Sequence, residues 1–375
     1  MALIGKMHPA QERLQNILNN LVHEGRERGA QVAAYADGRL IVDVWAGVAD
    51  ARTGRPVDGD TLFPVFSTTK GIMATIIHRL VEGGALDYEM RIADVWPEFA
   101  ANGKARITLR QVLNHTAGIH LLPGGITTAD LGDWGKMCAF VADLTPQWPP
   151  GTQQAYHAIT FGLILGETTR RVTGRPVARL LRDEILIPLG VEDIFIGIPD
   201  KVESRVAVLE ECGCSTDGPL PDANALQSVP ACMRPLYRWM NTPEARRTSN
   251  PAGSGIMSAR AIARHYAALL PGGVDGMALL PPERVATATV LQRPDSSALT
   301  KNPPMRVGLG YALLSEHESA MGTGRIVFGT GGHGGSVGFA DPEYGLAFAF
   351  TRNLFSEANT ALTLADELRR LLRAS

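Results

Sequence analysis

Phe66-Ser67-Thr68-Thr69-Lys70-Gly71 is the stretch from which the rest of the chain is read. Ile72, Met73, Ile76, Ile77 and Leu80 follow it at helical spacing and run to a Gly83-Gly84 stop. A helix beginning near Ser67 puts Ser67 and Lys70, three residues apart, on one face. A serine hydroxyl is a poor nucleophile until a nearby base takes its proton. A lysine amine can be that base once burial or another positive charge lowers its pKa. The apolar run would supply the burial, and the helix N-terminus would favour negative charge developing on the serine oxygen. Alone, Ser-x-x-Lys occurs freely in soluble sequences, and it also reads as a capping serine beside a solvated lysine.

Two distant segments support the chemical reading. Gln154-Ala155-Tyr156-His157-Ala158 follows the Pro149-Pro150-Gly151 break. A tyrosine beside a cationic lysine has a lowered pKa and can act as a phenolate base. His157 adjoins it and is expected to hydrogen-bond near the pocket. Gly331-Gly332-His333-Gly334-Gly335-Ser336 is predicted to run into an edge strand. Its glycines let a backbone N–H approach a ligand closely, as an oxyanion hole requires.

In this order, the three elements resemble the serine β-lactamase and penicillin-recognising enzyme superfamily, over nearly the whole chain. Leu113-Asn114-His115-Thr116-Ala117-Gly118 and the Asp341-Pro342-Glu343-Tyr344-Gly345 turn are similar to further segments of that group. Within it, the chain resembles most the class C β-lactamases and the family VIII carboxylesterases. The resemblance implies Ser67 as the acylated nucleophile, with Lys70 and Tyr156 as the general-base pair. It also implies an oxyanion hole from the Ser67 and Ser336 amides, and substrate contacts at His333, Gly334, Gly335 and His157. No metal or organic cofactor is implied.

The departures point to the substrate. Class C β-lactamases typically carry Lys-Thr-Gly where this chain has His333-Gly334-Gly335, and a neutral imidazole replaces a permanent cation. They also carry an asparagine two residues after the tyrosine, where this chain has Ala158. A neutral ester has no carboxylate to hold, so small or medium-chain carboxylic esters are the expected substrates. A β-lactamase or D-amino-acid peptidase, an acyltransferase, and a non-catalytic binding protein of the same fold stay open as alternatives.

Around these motifs the element pattern is mixed α/β. Leu14, Ile17, Leu18, Leu21 and Val22 mark a first helix, with Pro9 at its opening turn. Asp37-Gly38 between two β-prone runs signals a hairpin. Residues 85–190 are mostly helical in period. Val307–Leu314, Arg325–Phe328, Ser336–Ala340 and Leu346–Thr351 read as strands before a last helix from Ser356. The expected fold is β-lactamase-like, a central antiparallel sheet flanked by helices with an inserted helical part. Residues 1–84, about 190–210 and 290–375 would form the α/β part, and about 85–189 and 211–289 the helical part. Residues 211–250 carry Pro219, Pro221, Pro230, Pro235 and Pro243 and read as a long loop, either a lid or a surface excursion.

Other patterns fail on context. Gly334-Gly335-Ser336-Val337-Gly338 fits the nucleophile elbow, but no histidine follows Ser336 and a strand, not a helix, is expected next. Gly329-Thr330-Gly331-Gly332-His333-Gly334 fits a dinucleotide fingerprint without the helix and acidic residue it needs. Cys138, Cys212, Cys214 and Cys232 lack zinc-site spacing and read as reduced thiols. His115 is expected to brace the loop under the site. A net charge of -2, mixed along the chain, gives no electrostatic reason for a nucleic-acid or anionic-membrane partner. No apolar run reaches the ~20 residues of a spanning helix, and the N-terminus lacks a signal-peptide pattern, so a cytoplasmic location is expected.

Overall fold

The structure, a computed structural model, describes residues 8–213, 225–294, 305–314, 326–356 and 358–374. Helix α1 (Pro9–His23) opens with proline in its first turn and the His8 ring accepting the Ala10 N–H at 3.2 Å. Strands β1 (Gly29–Ala36) and β2 (Arg39–Asp50) pair across Asp37 and Gly38, whose φ values of 45° and 73° suit a two-residue hairpin turn. Strand β3 (Phe63–Phe66) leads into α2 (Thr69–Glu82), which begins two residues after Ser67 and ends at Gly83.

Next come α3 (Leu109–Leu113), α4 (Trp134–Asp143) and α5 (Thr160–Thr173). Thr108 and Gln111 close a reciprocal capping box at the start of α3. Strand β5 (Gly255–Met257) pairs with β3 on one side and with β4 (Ile194–Ile196) on the other, in a small antiparallel sheet of order β3-β5-β4. Helix α6 (Ala259–Ala267), strands β6 (Phe328–Gly331), β7 (Val337–Asp341) and β8 (Leu346–Arg352), and α7 (Thr360–Ala374) complete the chain. Among the described residues the large sheet has seven antiparallel strands, in the order Arg55–Pro56, β2, β1, β8, β7, β6, Ala312–Leu313.

Alternation along the strands divides this sheet into two faces. Val32, Ala34, Phe348 and Phe350 meet Leu14 and Leu18 of α1 and Leu364 and Leu368 of α7. Ala33, Ala347 and Ala349 face the larger core, which joins α6, α2 and the helices of residues 85–190. Small residues on that face let α6 approach closely: a Cβ on Gly338 would lie 2.3 Å from Ile262. Helix α2 is buried around most of its circumference, as an apolar central helix must be.

Three expectations change. Helix α6 belongs to the sheet rather than to a helical part spanning 211–289: it packs on β1 and β8, and its Ala259 N–H donates to Gln31 Oε1 at 3.0 Å. The glycine-rich motif does not run into an edge strand, because β7 lies between β8 and β6 and the edge is formed by Ala312–Leu313. The run Val307–Leu314 yields strand only at those two residues. Within the 211–250 loop, residues 214–224 lie outside the described residues, while 225–250 form short helices, Leu236–Met240 and Pro243–Arg247 among them.

Candidate active site

Ser67 stands between β3 and α2 on a backbone bent at Phe66, whose φ is 46°. A bulky aromatic residue rarely adopts this region, and it persists only where the surroundings over-determine it. Here the pairing with β5 shifts register between Pro64 and Phe66, so that Phe66 meets Gly255, and the Thr69 hydroxyl donates to the Phe66 carbonyl. Thr69 Oγ1 in turn accepts the Gly255 N–H at 2.9 Å. The Phe66 ring packs edge-on against His333 and Phe355, with centroids 5.9 and 5.5 Å away. Ser67 is thus held on a fixed turn at the head of a buried helix.

Lys70 lies one turn on and is 2% exposed. Its Nζ is 2.9 Å from the Ala158 carbonyl, 2.7 Å from the Ala252 carbonyl and 3.1 Å from Ser67 Oγ. Two N–H groups are committed to carbonyls, so the position left at the amine faces the serine hydroxyl. Asn250 ties the two carbonyl-bearing segments together, donating to Ile159 O at 3.3 Å and accepting the Ala252 N–H at 2.9 Å. Burial pushes the Lys70 pKa below the ordinary lysine value, with the Tyr156 hydroxyl opposing the shift. Nζ also sits 4.7 Å from the centroid of the Tyr156 ring.

Tyr156 is 39% exposed and lies on backbone that is neither helix nor strand. The β6–β7 turn completes the arrangement. A Cβ on Gly332 would lie 2.0 Å from the Val65 carbonyl, so glycine is needed for the turn to lie on β3. The Ser336 carbonyl accepts the Gly332 N–H at 2.7 Å and the Thr68 hydroxyl at 3.2 Å, which joins this turn to the residue following Ser67.

Ser67, Tyr156 and His333 line a cavity of about 380 Å³ together with Trp134, Met137, Ile159, Leu163, Val229, Met233, Leu236 and Trp239. Arg247 also reaches the wall, but its guanidinium is paired with Asp200 at 2.7 Å. Trp134 is fixed by donating its indole N–H to Glu167 at 2.8 Å. Among the described residues, no cluster of three or more His, Cys, Asp or Glu side chains is placed to hold a metal ion, and no helix is long and apolar enough to cross a membrane.

With this geometry in view, residues 14–372 match the family described as Beta-lactamase. The chain belongs to the beta-lactamase family. It is 37% identical over 348 residues to the esterase/beta-lactamase LipL of Mycobacterium tuberculosis (strain ATCC 25618 / H37Rv), covering 87% of this chain and 77% of that protein. It is also similar to a solved family VIII carboxylesterase, with 31% identity, a TM-score of 0.84 and coverage of 98% of this chain and 99% of that one. A penicillin-binding protein homolog from Caulobacter crescentus matches at 32% identity and a TM-score of 0.80, covering 98% and 99% of the two chains. The mixed α/β, β-lactamase-like fold of this family is the one expected from the sequence.

Within this family frame, the structure brings Ser67 and Lys70 into contact and sets Tyr156 and His333 on the same cavity. Other expected substrate contacts are placed differently. His157 is wholly buried: its Nδ1–H donates to the Ala155 carbonyl at 2.7 Å, and burial lowers its pKa to about 3. Its amide donates to His115 Nδ1 at 3.2 Å, and among the described residues its buried Nε2 meets no hydrogen-bond partner. Gly334 and Gly335 lie outside the cavity wall. Their φ values of 86° and 100° shape the turn, and a Cβ on Gly334 would strike the Phe355 ring at 2.3 Å. The cavity wall itself carries no sequence signal, since Trp134, Met137 and Leu163 read as ordinary helical core and Met233 and Trp239 fall in the irregular 211–250 stretch.

Proposed function

We propose that this chain is a serine carboxylesterase that hydrolyses small or medium-chain, uncharged carboxylic esters through an acyl-enzyme on Ser67. The observation that carries the reading is the Lys70 amine, buried, held by two carbonyls and 3.1 Å from Ser67 Oγ. In its neutral form the free position on Nζ is a lone pair. It takes the Ser67 proton as Oγ bonds to the ester carbonyl carbon and the carbonyl electrons move onto oxygen. The Ser67 and Ser336 amides stabilise that oxyanion, each donor worth ~10²–10³ in rate. Collapse breaks the bond to the alcohol oxygen, which takes a proton by way of Tyr156. Water then attacks the acyl-enzyme, giving its proton to the same pair, and the second collapse returns a proton to Ser67 and releases the acid.

Three features support an uncharged ester. His333 packs between Phe66 and Phe355, with centroids 5.9 and 5.2 Å away, where a β-lactamase would present a lysine. Ala158 stands in place of an amide, and its carbonyl is engaged by Lys70. The cavity wall is mainly apolar, and its arginine is paired with Asp200. The names of LipL and of the family VIII carboxylesterase agree with this reading. Residues 225–250 supply much of that wall, which supports a substrate-covering role for this part of the 211–250 stretch.

The test is side-by-side turnover of a short-chain aryl ester and a cephalosporin by the purified chain, with an alcohol acceptor added in a parallel reaction. Higher kcat/KM on the ester, with the free acid as product, is expected. Higher kcat/KM on the cephalosporin would make the chain a β-lactamase first, and acyl transfer at the expense of hydrolysis would make it an acyltransferase.

A further inference from the structure

Tyr156 has no helix or strand to position it, so its placement depends on whatever holds the backbone on either side. One residue holds both sides. The Ala155 N–H donates to the His115 carbonyl at 3.2 Å, and the His157 N–H donates to His115 Nδ1 at 3.2 Å. His115 itself adopts the left-handed region, with φ of 63°. Its ring lies 5.0 Å from the Tyr156 ring and 5.2 Å from Phe161, centroid to centroid. The bond from His157 Nδ1–H back to Ala155 O closes the frame around Tyr156.

The rest of this short segment forms a template for the same stretch. Asn114 O accepts from Gln154 at 2.8 Å, Thr116 O accepts the Gly151 N–H at 3.0 Å, and Gly118 O accepts the Gln147 N–H at 2.8 Å. Those contacts use main-chain carbonyls that any residue could supply. The contact at Nδ1 needs a particular side chain, one with an unprotonated acceptor two bonds beyond Cβ. Because Nδ1 accepts, the ring proton resides on Nε2, and burial keeps the imidazole neutral by lowering its pKa well below the ordinary value.

We propose that His115 is the positioning residue for Tyr156, clamping the amides on both sides so that the phenol is presented to Ser67 and Lys70. This rests on the reading of Tyr156 as an acid–base group. A misplacement of ~1 Å in such a group can cost about 10²-fold in rate. The clamp would therefore appear in kcat and leave substrate binding nearly untouched.

Two variants separate this role from mere packing. His115→Asn places an amide oxygen near the position of Nδ1 and tolerates positive φ, whereas His115→Gln carries its amide one carbon further. On an aryl ester, His115→Gln is expected to lower kcat by roughly 10- to 100-fold with KM changed little, and His115→Asn to stay within about 3-fold of the parent. In a Tyr156→Phe background the penalty of His115→Gln should vanish, since nothing remains to be positioned. If His115→Gln fails to fold, His115→Phe takes its place, keeping the ring stacking and removing the acceptor. Equal impairment in the Asn and Gln variants would overturn the proposal, as would a penalty that persists unchanged in the Tyr156→Phe background. Full kcat in Tyr156→Phe alone would instead overturn the acid–base role of Tyr156.

Discussion

The chemistry rests on how a lysine is held once it is out of water. A buried ammonium is costly, and at Lys70 the two carbonyls and Ser67 Oγ occupy all three of its hydrogen-bonding directions. Burial nonetheless lowers its pKa, so the neutral amine becomes available at a lower pH than for a solvated lysine. The sign for activity follows. As pH falls through that lowered pKa the amine gains a proton, loses its lone pair and can no longer accept from Ser67, so kcat/KM falls on the acid side. Lys70→Met, similar in length but without the amine, is expected to reduce kcat by ~10²–10⁴-fold across that range. Stopped-flow ester turnover measures this, and a variant retaining more than about a tenth of parental kcat would remove Lys70 from the role of base. Ser67 and Lys70 were legible in sequence because the turn that opens α2, closed by the Lys70 N–H on the Ser67 carbonyl at 3.0 Å, brings residues three apart together locally. The inward turn of His157 was not, because it depends on His115, which stands far away in the chain.

At the scale of elements, the site is a joint between the β3–α2 turn and the β6–β7 turn. Gly332 is where the two touch, with space for a hydrogen but not for a methyl group against Val65 O and Thr68 Oγ1. Gly332→Ala is expected to lift the β6–β7 turn off Ser67, lowering kcat by about 10- to 100-fold and stability by ~1–3 kcal/mol. Gly331→Ala is the control, since its Cβ would meet only Ser336 O, at 3.9 Å. Kinetics and urea unfolding on the pair check this, and equal behaviour of the two variants would count against a close joint at Gly332. The β1–β2 hairpin was readable because Asp37-Gly38 encodes its own turn. The place of β7 inside the sheet was not, because strand order is set by pairing between chain ends and by the short Ala312–Leu313 edge. Helix α6 was misplaced for a similar reason: its alanines declare a close-packed face without saying which surface receives it.

Across the whole molecule, buried histidines tie stability to pH. His78, His157 and His265 are fully buried, and burial lowers each pKa from 6.5 to about 3. His78 is held as a neutral ring between the Tyr88 hydroxyl at 2.7 Å and the Leu309 carbonyl at 2.9 Å, and His265 meets Thr75 Oγ1 at 2.8 Å. Between pH 6.5 and about 3 the unfolded chain binds protons at these rings that the folded chain does not. Stability is therefore full above pH 6.5 and falls as pH drops through that window, on the order of a few kcal/mol per histidine. Urea midpoints measured from pH 7 down to about 4 should decline, and His265→Gln should flatten the decline. A midpoint unchanged over that range would refute the neutral buried state. The β-lactamase-like character of the fold was legible from motifs spread over the chain. The cavity was not, because its wall is assembled from helices and loops that only the folded chain brings together.

The most direct measurement is to trap the acyl-enzyme. A slowly deacylated aryl ester, or an active-site-directed phosphonate, is reacted with the full chain and followed by intact mass and peptide mapping. One adduct is expected, on the peptide containing Ser67, and none in Ser67→Ala. An adduct on Ser336, or undiminished labelling of Ser67→Ala, would contradict it.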